Sequence, residues 1–352
     1  MTDYLAKTYP TLAQRLPKTA LADLPTPVSE CDIEVGSHQR TIAIKHDNQT
    51  SSYYGGNKLR KLEYLLQRAI DKRADRVATF GTVGSNHALA TALYARQLEM
   101  GCTCMLSHQV KTAGAAKVLG LLLQNDAEIV RYSGNRHARV EAMRQHVQGR
   151  NTWVIPLGGS SWLGAVGYVN AGLELAAQIS AGEVRLPERI YMATGTMGSA
   201  VGLALGLALA GVKAVVQAVR VSPDEIMNRS RLDHLLNKTA AMMHRLDPSI
   251  PAGVAVRTHI ELRHEFFGDG YAKTNAATDA AIEIAGDQLG LLLEPTYTGK
   301  AMAALLHDIE QPEHASMPML FWNTYNSNPM PVIDTDATHR QRMPEEFLRY
   351  LD

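Results

Sequence analysis

Cysteine is scarce: Cys31, Cys102 and Cys104 are the only three in a chain of 352 residues. An odd count cannot close a disulfide framework. Cys102-Thr103-Cys104 lacks zinc-knuckle spacing, and no second Cys or His pair completes it. Small core residues in a reducing compartment are the simpler reading, and no metal site is expected. Net charge is also missing, with 35 Lys plus Arg against 35 Asp plus Glu. Neither a basic stripe for nucleic acid nor an acidic solvating tail is present. Long apolar runs are absent too. The most apolar stretch, Ala200 to Val212, is cut by Lys213 and is too short to span a bilayer. The first ten residues contain no apolar segment of a secretion signal. A cytoplasmic protein acting on a small molecule is expected, with no nucleic-acid or membrane partner.

What the chain has is alternation. Its length and 45% hydrophobic content suffice for a large core divided into two lobes. Strand-like runs at 76–80, 102–107, 128–132, 152–155, 189–193 and 214–221 alternate with helical patterns at 87–99, 111–125, through 148, and 198–210. Such alternation, with Gly-rich connections, predicts an α/β fold of parallel sheets covered by helices.

Three Gly/Ser-rich turns follow strands. In Thr194-Gly195-Thr196-Met197-Gly198-Ser199, glycines let backbone N–H groups and the positive helix end approach an anion. The hydroxyls of Thr194, Thr196 and Ser199 can add donors. The spacing is neither a Walker loop nor a dinucleotide fingerprint. Gly198, Gly202 and Gly206 recur every four residues, as on a helix packed closely against a neighbour, so a tight structural turn explains this loop equally well. Gly84-Ser85-Asn86-His87 reads either as an ordinary helix cap or as a carboxylate site. Pro156 to Ser161 repeats the style. Turns of this kind line up along the edge where α/β proteins bind ligands.

The segment Tyr54–Leu66 carries three cations in four positions. At roughly 100° per residue, Leu59, Leu62, Leu65, Leu66, Ala69 and Ile70 form one apolar arc. Arg60 points nearly opposite and Lys61 lies outside the arc, as expected of a solvated face. Lys58 falls on the apolar stripe. A lysine there is costly unless paired, neutralised or snorkelling. Desolvation and the positive helix end both lower an amine pKa, which suits Schiff-base chemistry.

Gly55-Gly56-Asn57-Lys58 with Leu59-Arg60-Lys61-Leu62-Glu63 resembles the lysine motif of a family of pyridoxal 5'-phosphate (PLP) enzymes. That family includes D-cysteine desulfhydrase and 1-aminocyclopropane-1-carboxylate (ACC) deaminase, of the tryptophan-synthase β-like fold, fold type II. Leu24 to Val28, Gly84 to His87, Pro156 to Ser161 with Leu163 to Tyr168, Thr194 to Ser199 and Glu294 to Met302 are similar to further family segments, in the same order. The resemblance implies a large PLP-binding domain (1–60 and 166–352) and a small inserted domain (61–165). Each is a mostly parallel twisted sheet with helices on both faces, and the active site lies in the cleft between them.

The resemblance also implies roles. Lys58 is the Schiff-base lysine and carries the Cα proton, and Asn57 sits beside the phenolic oxygen of PLP. Thr194, Gly195, Thr196, Met197, Gly198 and Ser199 hold the phosphate. Ser85, Asn86 and His87 bind the substrate carboxylate, with Ser85 placed for proton transfer. Tyr297 packs on the ring, Tyr271 is a second active-site tyrosine, and Thr298 and Thr324 lie near the pyridine nitrogen. Thr298 and His87 favour the desulfhydrase side of the family over ACC deaminases. Where the family carries His-Thr-Gly-Gly, this chain has Asn323-Thr324-Tyr325-Asn326, which adds bulk near the cofactor. The expected activity is PLP-dependent α,β-elimination from a small β-substituted amino acid resembling D-cysteine, in a homodimer. ACC deamination, β-replacement or racemisation, and non-catalytic PLP binding are the alternatives.

Overall fold

The structure is a computed structural model and describes residues 2–133, 135–333 and 340–351. Two compact units divide the chain. The first comprises Met1–Pro17, Ala22–Lys61 and Ser160–Asn328; the second comprises Lys18–Leu21, Leu62–Gly159 and Pro329–Asp352. The expected division assigns everything after 166 to the large domain, whereas residues 329–352 cluster with the second unit. The reason is packing: Ile333 occupies the space over Gly120 in that unit. Among the described residues, no helix is long and apolar enough to cross a membrane.

The strands in chain order are β1 (Val28–Val35), β2 (His38–Lys45), β3 (Arg76–Thr82), β4 (Gly101–Ser107), β5 (Glu128–Arg131), β6 (Thr152–Val154), β7 (Arg189–Thr194), β8 (Val215–Arg220), β9 (Ile260–Arg263) and β10 (Met319–Trp322). The first unit holds a sheet of order β1-β2-β10-β7-β8-β9, and the second holds β5-β4-β3-β6. All pairings are parallel except β1 with β2. The alternating rhythm anticipates the parallel strands but not this hairpin. Its signal is the two-residue loop Gly36-Ser37 between the paired Val35 and His38. Gly36 has φ +57°, the backbone of a primed hairpin turn.

Each sheet buries its own apolar layer. In the first unit Ile33, Ile42, Ile44, Tyr191 and Phe321 pack with Met302 and Leu305. In the second, Phe80, Met105, Val130 and Tyr132 do so. The four-residue glycine repeat is explained by close helix packing. A Cβ at Gly202, in helix Gly198–Leu209, would collide with the Ala165 carbonyl of helix Trp162–Ser180.

Helix Lys58–Asp71 departs from the amphipathic reading. Leu59, Leu62, Leu65, Leu66 and Ala69 are buried as expected, but so are Arg60 at 1% exposure and Lys61 at 2%, while Lys58 is only partly buried. The solvated face assigned to Arg60 and Lys61 does not exist over the first turns. Arg60 is enclosed by carboxylates. Its Nη2 donates to Asp47 Oδ1 at 2.8 Å and to Glu174 Oε1 at 2.9 Å, and its Nη1 donates to Glu174 Oε2 at 3.0 Å. Lys45 Nζ donates to Glu174 Oε1 at 2.6 Å. Tyr168 donates its hydroxyl proton to Asp47 Oδ2 at 2.6 Å, and Thr26 N–H donates to Glu174 Oε1 at 3.0 Å. Two cations and two anions thus cancel inside the first unit.

Burial opposes ionisation of Glu174, but Arg60 and Lys45 draw its pKa from 4.5 down to about 2. A depressed carboxyl stabilises the fold above its unfolded pKa, and this contribution fades as pH falls toward the folded value. A drop of this size is worth about 3 kcal/mol at neutral pH, at about 1.4 kcal/mol per pH unit. In urea titrations, Glu174→Gln is expected to be destabilised at pH 7, and its deficit against wild type should shrink by about 2 kcal/mol at pH 3. An equal deficit at both pH values contradicts this account of the cluster.

Candidate active site

In the first sheet β2, β10 and β7 are neighbours and run parallel. Their carboxyl ends therefore release three loops side by side, the usual ligand edge of an α/β sheet. These loops are tied to one another. Asn57 N–H donates to the Thr324 carbonyl at 3.1 Å, and Gly55 N–H donates to Asn326 Oδ1 at 2.7 Å. Gly56 sits at φ +102°, where a Cβ would stand 3.0 Å from the Thr324 carbonyl oxygen. Only glycine suits that backbone and that space. Asn326 thus joins the loop after β10 to the segment that precedes Lys58.

Lys58 Nζ donates to Asn57 Oδ1 at 2.7 Å and stands 5.9 Å from the centroid of the Tyr297 ring. Burial lowers its pKa from 10.5 to about 8, against an upward pull from Glu294. The amine can therefore gain and lose a proton near neutral pH. Asn57 Nδ2 donates in turn to Ser199 Oγ at 3.4 Å, which connects the lysine to the loop after β7.

That loop has the features of an anion cradle. Helix Gly198–Leu209 carries no side-chain cap, and Met197 before it is left-handed with φ +65°. Several other helices of the chain are capped by a Ser, Thr or Asn side chain. Ser160 Oγ accepts from Gly198 N–H at 3.1 Å and is 2.7 Å from Thr196 Oγ1. Lys61 Nζ donates to Ser160 Oγ at 3.4 Å and would lie 3.2 Å from a Cβ at Gly198. Burial, and then repulsion from Lys58, hold the Lys61 amine well below its ordinary pKa. A dianion at this point would restore its charge. Sequence reasoning missed Lys61 and Ser160; the signal available was a second lysine one helical turn after Lys58.

Tyr297 and Tyr271 share a hydrogen bond of 2.6 Å between their hydroxyls. Burial, and then Tyr271, push the Tyr297 pKa well above its ordinary value, so its phenol stays protonated. Glu294 accepts from the N–H groups of Thr296, Tyr297 and Thr298 at 2.9, 2.7 and 3.0 Å, which fixes the turn that presents Tyr297. Thr298 is fully buried, and its hydroxyl accepts from Glu294 N–H at 2.9 Å. That hydroxyl is thus engaged with the turn. Lys300 holds the opposite loop: its Nζ donates to the carbonyls of Phe267 and Gly270 at 2.6 and 3.2 Å, immediately before Tyr271. Burial, and then the Glu294 carboxylate, raise the pKa of Tyr325.

Ser85, Asn86 and His87 lie in the second unit, at the start of helix Asn86–Gln97. Ser85 Oγ caps that helix by accepting from Ala88 N–H at 3.2 Å. The His87 ring is buried, with Nε2 3.0 Å from Thr79 Oγ1. Thr79 donates its own proton to the Ile155 carbonyl at 3.1 Å, so the ring donates to Thr79.

A profile of the family described as pyridoxal-phosphate dependent enzyme matches residues 19–321. A D-cysteine desulfhydrase of Klebsiella pneumoniae (strain 342) is 34% identical over 319 residues, covering 88% of this chain and 94% of the relative. A D-cysteine desulfhydrase of Yersinia pestis (strain Pestoides F) is 34% identical over 326 residues, covering 89% and 96%. Among solved structures, an ACC deaminase homologue aligns with a TM-score of 0.74 at 27% identity, over 92% of this chain and 95% of that one.

The field at Lys58 can be measured directly. In cofactor-free protein, labelling of the Lys58 amine across pH, read by peptide mass spectrometry, should give a midpoint near 8. Glu294→Gln removes the carboxylate that favours the ammonium form, so its midpoint should fall further. A midpoint at the ordinary 10.5, or a rise in the variant, contradicts this electrostatic account.

Proposed function

Because this chain belongs to the family of pyridoxal-phosphate-dependent enzymes, we propose that it eliminates the β-substituent of a small amino acid resembling D-cysteine. One water is consumed, and pyruvate, ammonia and the leaving group, sulfide for cysteine, are released. The carrying observation is Lys58: an amine with a pKa of about 8, bonded to Asn57 and set above the Tyr297 ring. The relatives named D-cysteine desulfhydrase, matched over nearly their whole length, support the substrate class.

The residues fit the cofactor. The start of helix Gly198–Leu209, where the N-cap residue Met197 supplies no side-chain bond, the Ser160–Thr196 hydroxyl pair and the buried Lys61 amine suit a phosphate dianion. We assign Thr194 to Ser199 with Lys61 to the phosphate, Asn57 to the phenolic oxygen, Thr324 to the pyridine nitrogen and Tyr297 to a ring face. Thr298 supports the site through its turn. When bound, PLP supplies the electron sink that makes a Cα proton removable.

The chain's own groups do the rest. Lys58 takes the Cα proton, a task matched by its lowered pKa. Ser85 and Asn86 receive the substrate carboxylate, and His87 braces their helix through Thr79. Tyr297, kept protonated and bonded to Tyr271, donates a proton to the departing sulfur. A cytoplasmic homodimer completes the reading.

The test is a product assay on purified holoenzyme over a panel of D- and L-amino acids and ACC. Pyruvate with sulfide is expected from D-cysteine, and Lys58→Ala should lower kcat by at least about a thousandfold. Tyr297→Phe should lower kcat by about a hundredfold with a smaller change in KM. Formation of 2-oxobutyrate from ACC as the main activity, a new amino acid, or no product at all would each replace this reading.

A further inference from the structure

Described residues near the end of the chain are held closely by the second unit. Ile333 covers Gly120, where a Cβ would lie 2.5 Å from Ile333 Cγ2. Arg342 pairs with Asp126 at 3.0 Å. The short helix Glu345–Tyr350 buries Phe347 and Tyr350 at 0% and 1% exposure. The His108 ring stacks on Tyr350 with centroids 6.0 Å apart and meets Phe347 edge-on at 5.1 Å.

The Tyr350 hydroxyl grips both backbone groups of one residue. It donates to the Gln109 carbonyl at 2.8 Å and accepts from Gln109 N–H at 3.0 Å. The Gln109 side chain then reaches across to another loop, where its Oε1 accepts from Gly84 N–H at 3.0 Å. It lies over the open face of Gly84, where a Cβ would stand 2.9 Å from Gln109 Nε2. Gly84 directly precedes Ser85. A relay of three hydrogen bonds therefore runs from the C-terminal helix to the residue before the cap. A phenol that closes on both backbone groups leaves Gln109 little freedom, and a fixed Gln109 leaves Gly84 little.

We propose that Tyr350 is a positioning residue for substrate binding: through Gln109 it fixes Gly84 and so the stance of Ser85 and Asn86. The proposal rests on the reading of residues 84–87 as the carboxylate loop. Without the clasp the loop samples other arrangements, and only the competent fraction binds substrate, which weakens apparent affinity by that fraction. Lys58 and Tyr297, the groups assigned above to the proton transfers, are untouched.

Tyr350→Phe keeps the packing and removes both hydrogen bonds to Gln109, along with the hydroxyl's longer contacts to His108 and Arg349, whereas Gln109→Met keeps the length and removes the acceptor for Gly84. In the holoenzyme each should raise KM for the amino acid about tenfold, with kcat within about twofold and the cofactor's visible absorbance unchanged. Amide hydrogen exchange at Gly84 and Ser85 should also quicken in the absence of substrate. Unchanged KM in an active enzyme overturns the proposal, as does a fall in kcat at constant KM. If the chain turns over no amino acid, the functional reading itself fails. Exchange at Gly84 then decides the positioning alone: faster in both variants supports it, unchanged overturns it.

Discussion

The Arg60 guanidinium, shared between Asp47 and Glu174, is the interaction on which the first unit's reactive edge depends. Asp47 belongs to the segment between β2 and Lys58, Glu174 to helix Trp162–Ser180, and Arg60 to the helix that Lys58 opens. The Asp47 backbone also contributes, because its carbonyl accepts from Gly56 N–H at 2.9 Å. The path from Asp47 through Gly56 and Asn57 to Lys58 is thereby anchored at both ends. Removing one partner would strand a charge in the interior, which typically costs about 3–5 kcal/mol. A guanidinium suits this post because it offers a planar fork of donors and does not surrender its proton on burial.

One helical turn then sorts three cations by surroundings. Arg60 is held charged by two carboxylates and serves structure. Lys58, bonded to a neutral amide, is lowered into the range where it can exchange a proton. Lys61 is buried, donates to the Ser160 hydroxyl and has a like charge nearby, so an anion beside it gains more than at a surface lysine. The same residue type acquires different chemistry three positions apart because desolvation and partner charge differ.

Much of this was legible in the sequence. The parallel strands, the glycine-rich turns at their ends and the oddity of Lys58 follow from period, turn chemistry and the placement of an amine on an apolar stripe. The burial of Arg60 and Lys61 did not follow. A helical wheel assumes that the face opposite the apolar arc meets solvent. Here that face meets Asp47 and Glu174, and Glu174 lies 114 residues away in sequence, beyond any local pattern. Thr298 shows a related limit: sequence gives the presence of a hydroxyl, not whether a turn has already claimed it. The tail was silent because Tyr350 matters through Gln109, a contact 241 residues apart.

The central claim is that Lys58, and not its buried neighbour Lys61, carries the cofactor. Borohydride reduction of the holoenzyme followed by proteolysis and mass spectrometry tests it directly. The account predicts the reduced cofactor's mass on Lys58 alone, with Lys61 unmodified. The mass on Lys61 or on Lys300, or no covalent attachment, would contradict it.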